Sequence, residues 1–157
     1  MLSKRDAAYF KDQVVWITGA SSGIGESLVY AFHEHGAKLI LSARRIQELE
    51  RVRHNCSLHG DEILLLPFDV TDFSCIPSLV GRALDQMNCV DILVNNAGIS
   101  QRASALHTSF DVDRQLMNTN FFAPVVLTKA ILPSMIERNS GHIVVMSSLN
   151  AKFGRPS

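Results

Sequence analysis

The chain has no surplus of either charge. Fifteen Lys and Arg balance fifteen Asp and Glu over 157 residues. A neutral chain presents no broad basic field to nucleic acid or to an anionic membrane surface, so neither partner is expected. Neutrality gives no solubility margin either. Cysteine is scarce: Cys56, Cys75 and Cys89 form an odd set, spaced too widely for a metal knuckle. Reduced thiols in a cytosol-facing protein are the expectation. The six histidines do not cluster, and His33 and His35 would leave a helix on different faces. No metal is expected. The opening segment MLSKRDAAYFKD lacks the apolar core of a secretory signal. No stretch reads as the ~18 apolar residues of a spanning helix, so no membrane segment is expected in this chain. Repeats, low-complexity tracts and linkers are absent too. As given, the chain is expected to be cytoplasmic. An anchor lost from ahead of Met1 would place it at the endoplasmic reticulum membrane instead.

What is present is an alternation. At 157 residues with 46% apolar content, the chain suits one domain with a real core. Apolar runs at 13–18, 37–42, 62–70, 91–97 and 141–148 read as strands. Between them lie stretches with helical spacing. Ile24, Leu28, Ala31, Phe32 and His35 make one stripe, with Gly36 as its stop. Ile46, Leu49, Val52 and Cys56 make a second among charges. Ile76, Leu79, Val80, Ala83, Leu84 and Met87 make a third, with Ser74 as cap and Pro77 in the first turn. A long helix is expected over 111–137. The apolar runs are continuous rather than alternating, so both faces of each strand are covered. The expected fold is α/β, a doubly wound parallel sheet of the Rossmann type with strand order 3-2-1-4-5. Residues 1–11 read as an N-terminal extension and 12–157 as the dinucleotide-binding domain.

In such a sheet, ligands bind beyond the carboxyl ends of the strands. The unusual residues fall there. TGASSGIG (18–25) follows strand 1, ARR (43–45) strand 2, Asp69 strand 3, NNAG (95–98) strand 4, and Ser147-Ser148 strand 5. Gly19, Gly23 and Gly25 open a helix with a tight turn, which suits close approach to a pyrophosphate. No Lys-Ser/Thr follows, so this is not a nucleoside-triphosphate loop. Strand 2 ends at Ala43 where an acid would bind the 2′-hydroxyl of NAD. Arg44 and Arg45 follow, and an arginine there accommodates the 2′-phosphate of NADP. One of the two, Arg45 rather than Arg44, is expected merely to start the next helix. Asp69 reads either as a site residue or as a helix-start acid. Of Asn95 and Asn96, one is expected to bond to neighbouring strands and one to a ligand. Asn120 shares a helical face with Leu116, Ala123, Leu127 and Ala130. It is either an ordinary buried hydrogen bond or an organiser of polar groups at the sheet edge.

Together these motifs resemble the short-chain dehydrogenase/reductase family, nearly throughout from residue 12. TGASSGIG is similar to that family's cofactor loop, and NNAG to its motif after strand 4. MNTNFFA and IVVMSS fall where the family has its catalytic Asn and Ser. VVWITGASSGIGE, LILSARRIQELERV and LPSMIERNSGHIV further resemble the SDR family member 7 group. The resemblance implies NADP(H) held by Gly19, Ser21, Ser22, Gly23, Ile24, Gly25, Arg44, Asp69, Val70, Asn96, Ala97 and Gly98. It implies catalytic roles for Ser148, which positions the substrate oxygen, and Asn120, which holds a relay water. The implied reaction is hydride transfer between nicotinamide and a carbonyl or alcohol, of a steroid, retinoid or other lipid. Full-length members are expected to form homodimers or tetramers.

The sequence departs from the family in one respect. Proton transfer there uses a Tyr-x-x-x-Lys pair. This chain has only Tyr9 and Tyr30, followed four residues on by Gln13 and Glu34. Lys152 has no phenol ahead of it. The missing pair would fall just past Ser157, so the chain reads as C-terminally truncated. It is expected to be inactive alone, with strand 5 an exposed apolar edge. A non-catalytic, dinucleotide-binding or regulatory form is the alternative.

Overall fold

A computed structural model of the chain describes residues 9–56 and 62–149. Five parallel strands form one sheet in the order β3-β2-β1-β4-β5. They are β1 (Val14–Thr18), β2 (Lys38–Ser42), β3 (Ile63–Leu65), β4 (Ile92–Asn95) and β5 (His142–Val145). Helices α1 (Gly23–Glu34), α2 (Ile46–Asn55) and α3 (Ile76–Met87) connect the first four. A long helical segment, α4 (Phe110–Met117) through α5 (Ala123–Glu137), precedes β5.

Alternation along β1 builds two cores. Val14 and Trp16 pack with Leu79 and Val80 of α3 and with Leu127 and Ile131 of α5. Val15 and Ile17 pack with Val29 of α1 and Leu49 and Val52 of α2. Successive strand side chains point to opposite faces, so a strand covered on both sides must be apolar throughout. Trp16 stays satisfied in the interior because its indole N–H donates to Ser42 Oγ at 2.9 Å. The expected fold and strand order are those observed.

Several local expectations need correction. In α1 the buried residues are Gly25 and Val29, whereas Ile24 is 61% exposed. Leu28 and Phe32 of the expected stripe pack, partly buried, against the same core as Val29. Ser74 does not cap α3. Its hydroxyl donates to Asp72 Oδ1 at 2.6 Å, and Cys75 takes the cap position. The regular strand stops at Leu65, ahead of Pro67, although Leu66 N–H still donates to the Leu41 carbonyl at 3.0 Å. The backbone still runs alongside β2 past the proline, with Phe68 N–H donating to the Ala43 carbonyl at 3.1 Å.

The long helix is continuous but not uniform. Asn118–Phe122 form a π-helical turn between α4 and α5. One extra residue per turn rotates α4 relative to α5 about the common axis. The buried row becomes Thr119, Ala123, Leu127, Ile131 and Met135, and Asn120 is exposed. Asn120 thereby leaves the apolar stripe that uniform periodicity assigned it. Phe110–Glu137 is also long and apolar enough, by length and composition, to cross a membrane. Polar interruptions hide this in the linear sequence. Here its inner row is buried against the sheet.

β5 is an exposed edge as expected, with Val145 56% exposed. Of the N-terminal extension, residues 1–8 lie outside the described residues, as does Lys152. Phe10 packs its ring 5.2 Å from that of Phe32.

Candidate functional site

The carboxyl ends of the strands surround a cleft of about 370 Å³. Gly19, Ser21, Ser22 and Ile24 line it from the turn after β1, and Arg44 from the end of β2. Asp69 and Val70 line it after β3, and Asn96, Ala97 and Gly98 after β4.

The turn is built by close approach. A Cβ on Gly25 would fall 2.1 Å from the Gly19 carbonyl oxygen and 2.6 Å from Asn96 Nδ2. Only glycine lets α1 seat itself on the turn. Gly23 has φ +58°, and a Cβ there would meet nothing within 4 Å. These two glycines support the cleft rather than line it.

Thr18 joins the turn to the loop after β4. Its buried hydroxyl oxygen accepts the N–H of Asn96 at 3.0 Å and of Ala97 at 3.1 Å. Asn96 returns the contact, donating Nδ2 to the carbonyls of Thr18 at 3.0 Å and Gly19 at 3.3 Å. Asn95 donates Nδ2 to Thr128 Oγ1 on α5 at 3.3 Å. Both amides therefore bond within the protein, and Asn96 also lines the cleft. Their side chains tie two loops and a helix together.

Asp69 is fixed by its own turn. Oδ1 accepts the Thr71 N–H at 2.9 Å and the Thr71 hydroxyl at 2.7 Å. These donors, helped by Arg44, outweigh partial burial and hold the carboxyl below its usual range. Arg45 occupies the cap position of α2, which leaves Arg44 as the arginine at the cleft.

Asn120 reaches the cleft indirectly. Its amide clamps the backbone of Ile99, which lines the cleft. A Cβ on Gly98 would come within 3.3 Å of Asn120 Oδ1. Ser148 comes after β5 at the same sheet end, exposed and outside the lining residues. Neither tyrosine lines the cleft. The Tyr30 hydroxyl donates to Glu26 at 2.6 Å, and that of Tyr9 faces His142. Among the described residues, no three His, Cys, Asp or Glu side chains gather as a metal site.

Ala43, noted at the end of strand 2, lines the cleft as well; Phe68, Thr71, Ile99, Gln115 and Thr119 were not foreseen. The first three of these flank motif residues. Gln115 and Thr119 stand one turn apart on the segment carrying Asn120, and that spacing was the signal available.

Comparison with known proteins matches residues 13–157 to the short chain dehydrogenase family model. The dehydrogenase/reductase SDR family protein 7-like of Drosophila melanogaster is 50% identical over 148 residues, which is 92% of this chain and 45% of that protein. Human dehydrogenase/reductase SDR family member 7 is 48% identical over 142 residues, 88% of this chain and 42% of that one. A short-chain dehydrogenase from Streptomyces avermitilis superposes with a TM-score of 0.86 at 34% identity, covering 91% of this chain and 52% of its own. The chain thus spans about half the length of the relatives it matches. With its glycine turn, NNAG loop and sheet order in place, the chain belongs to the short-chain dehydrogenase family and is similar to its SDR family member 7 proteins.

Proposed function

We propose that this chain binds NADP(H) in the cleft and forms the dinucleotide-binding part of an oxidoreductase acting on a carbonyl or alcohol. The observation that carries the NADP(H) reading is Arg44 at the cleft, just past the end of β2, with Ala43 rather than an acid at the preceding position. An arginine there suits a 2′-phosphate by charge and by its planar fork.

The residues fit such a cofactor. Gly19, Ser21 and Ser22 bring backbone close at the start of α1, where unpaired N–H groups favour a pyrophosphate. Asp69, Val70, Asn96, Ala97 and Gly98 complete the walls. When bound, the nicotinamide supplies or accepts the hydride. Ser148 then positions the substrate oxygen, and Asn120 organises the loop beside it and a relay water. Both roles rest on the family resemblance.

The proton donor is the part these residues do not provide. Neither phenol lines the cleft, and loss of a general acid costs ~10²–10⁴ in rate. Cofactor binding without turnover is the expected behaviour of these 157 residues. Exposed Phe121, at 52%, and Ile136, at 64%, on the long helical segment support pairing of subunits in a full-length protein.

Calorimetric titration with NADPH and NADH tests the reading. NADPH binds more tightly, and Arg44→Ala weakens it by roughly tenfold or more while NADH changes little. Equal losses for the two cofactors would reject the role of Arg44. Binding of neither by the unaltered chain would reject the function.

A further inference from the structure

The geometry points to Arg51 as a positioning residue for the glycine turn, one that tethers Ser21 and cancels the charge of Glu26 beside the anion-binding end of α1. This rests on the cofactor reading above. Arg51 sits on α2, outside the cleft, with its side chain 43% exposed. Its guanidinium nonetheless reaches acceptors on α1, α2 and the turn. Nη1 donates to Glu26 Oε1 at 2.7 Å and Nη2 to Glu26 Oε2 at 2.9 Å. Nη2 also donates to the Ser21 carbonyl at 3.1 Å, and Nε to Glu48 Oε2 at 2.9 Å.

A planar five-donor fork can serve three acceptors at once; a lysine ammonium cannot match that shape. Glu26 is held from its other side as well. It accepts the Tyr30 hydroxyl at 2.6 Å, and Asn55 Nδ2 donates to that hydroxyl oxygen at 3.3 Å.

One guanidinium spans Glu26 and Ser21, so the carboxylate lies within that span of a residue lining the cleft. The hydrogen bonds from Arg51 and then Tyr30 lower the Glu26 carboxyl to about 2, so it is ionised at any working pH. An uncompensated carboxylate in the first turn of α1 would compete with a pyrophosphate for the same positive helix end. Arg51 removes that competition. It also ties α2, which starts just after Arg44, to the turn that faces the pyrophosphate. The two recognition points of the dinucleotide are thereby held at a fixed separation.

Two probes separate this role from general support of the fold. NADPH reports on the pyrophosphate turn; adenosine 2′-phosphate has no pyrophosphate and reports on the Arg44 side. With Arg51→Met, the Kd for NADPH is expected to rise about tenfold while that for adenosine 2′-phosphate, tracked by NMR titration, stays within about twofold. Adding Glu26→Gln to Arg51→Met is expected to bring NADPH back to within about threefold of the unaltered chain, because the repelling charge is gone. Unchanged NADPH binding by Arg51→Met overturns the inference. So does a parallel loss of both probes, or a double variant no better than the single one. Should Arg51→Met give no cooperative melt, Arg51→Lys decides. It gives up the fork but keeps the charge that offsets Glu26, the larger of the two effects, so NADPH affinity within about threefold supports the inference and any greater loss overturns it. An unaltered chain that binds neither NADPH nor NADH overturns the cofactor reading first, and this inference with it.

Discussion

Asn120 grips the backbone of Ile99 with both ends of its amide: Oδ1 accepts the Ile99 N–H at 2.9 Å, and Nδ2 donates to the Ile99 carbonyl at 2.8 Å. The side chain comes from a π turn and the backbone from the loop after β4. The helical segment therefore sets the height of a loop that walls the cleft.

Asn120→Ala should cost about 1 kcal/mol, since water partly replaces two exposed hydrogen bonds. Asn120→Asp should cost at least as much, because it turns a second oxygen toward the Ile99 carbonyl. Chemical denaturation measures both. Hydrogen exchange at the Ile99 amide should accelerate in each variant; an unchanged rate would mean that the clamp does not form in solution.

The two glycines of the turn should respond unequally. Gly25→Ala places a Cβ 2.1 Å from the Gly19 carbonyl, so backbone must move. A loss of about 3 kcal/mol or more is expected. Gly23→Ala meets open space at φ +58° and should cost only about 1–2 kcal/mol, the strain of a left-handed residue. Denaturation midpoints of the two variants give the order directly. A larger loss at Gly23 would show the seating of α1 on the turn to be wrong.

Acid should destabilise the fold through Glu26 and Asp91. Arg51 and Tyr30 lower the Glu26 carboxyl to about 2 from an ordinary 4.5. Burial alone would raise Asp91. The Val14 N–H, donating to Oδ2 at 2.9 Å, and Arg138, donating to Oδ1 at 2.8 Å, outweigh it and hold Asp91 low. A depressed folded-state value means stability that is complete above the unfolded value and is lost as pH falls through the folded one. For Glu26 that window runs from 4.5 down to about 2. Melting temperature should fall across it, and less steeply in Glu26→Gln and in Asp91→Asn. Curves parallel to that of the unaltered chain would remove both carboxylates from the account.

The edge at β5 should make this chain self-associate. Ile143, Val144 and Val145 are 37%, 39% and 56% exposed on a strand with one free side. Val145→Lys should lower the sedimenting aggregate without lowering the melting temperature, because a charged edge side chain opposes strand addition. Equal aggregation in analytical ultracentrifugation would locate the sticky surface elsewhere.

Much of the fold was readable along the chain. Runs such as VVWIT and LVNN are covered on both faces in the sheet, and between the strands apolar residues return every third or fourth position. That pattern admits a sheet packed between helices and little else. Both the strand order and the gathering of TGASSGIG, Arg44, Asp69 and NNAG at one sheet end accord with it. The site was less readable. Nothing local says that Asn96 turns back to Thr18 and Gly19, 78 and 77 positions earlier in the chain. Spacing puts Gln115 and Thr119 on one helical face, but only packing turns that face toward the cleft.

By itself the sequence determined the periodicities, the glycine turn and the absence of a Tyr-x-x-x-Lys pair, because each is a property of neighbouring residues. The tertiary structure alone decided which side chains answer one another. One extra residue in the π turn moved Asn120 out of the buried row and Thr119 into it. Arg51 meets Glu26 across 25 positions, at 2.7 Å. Rotation of a helix about its axis and contacts between distant elements are fixed by packing, and packing is settled only when every element is in place.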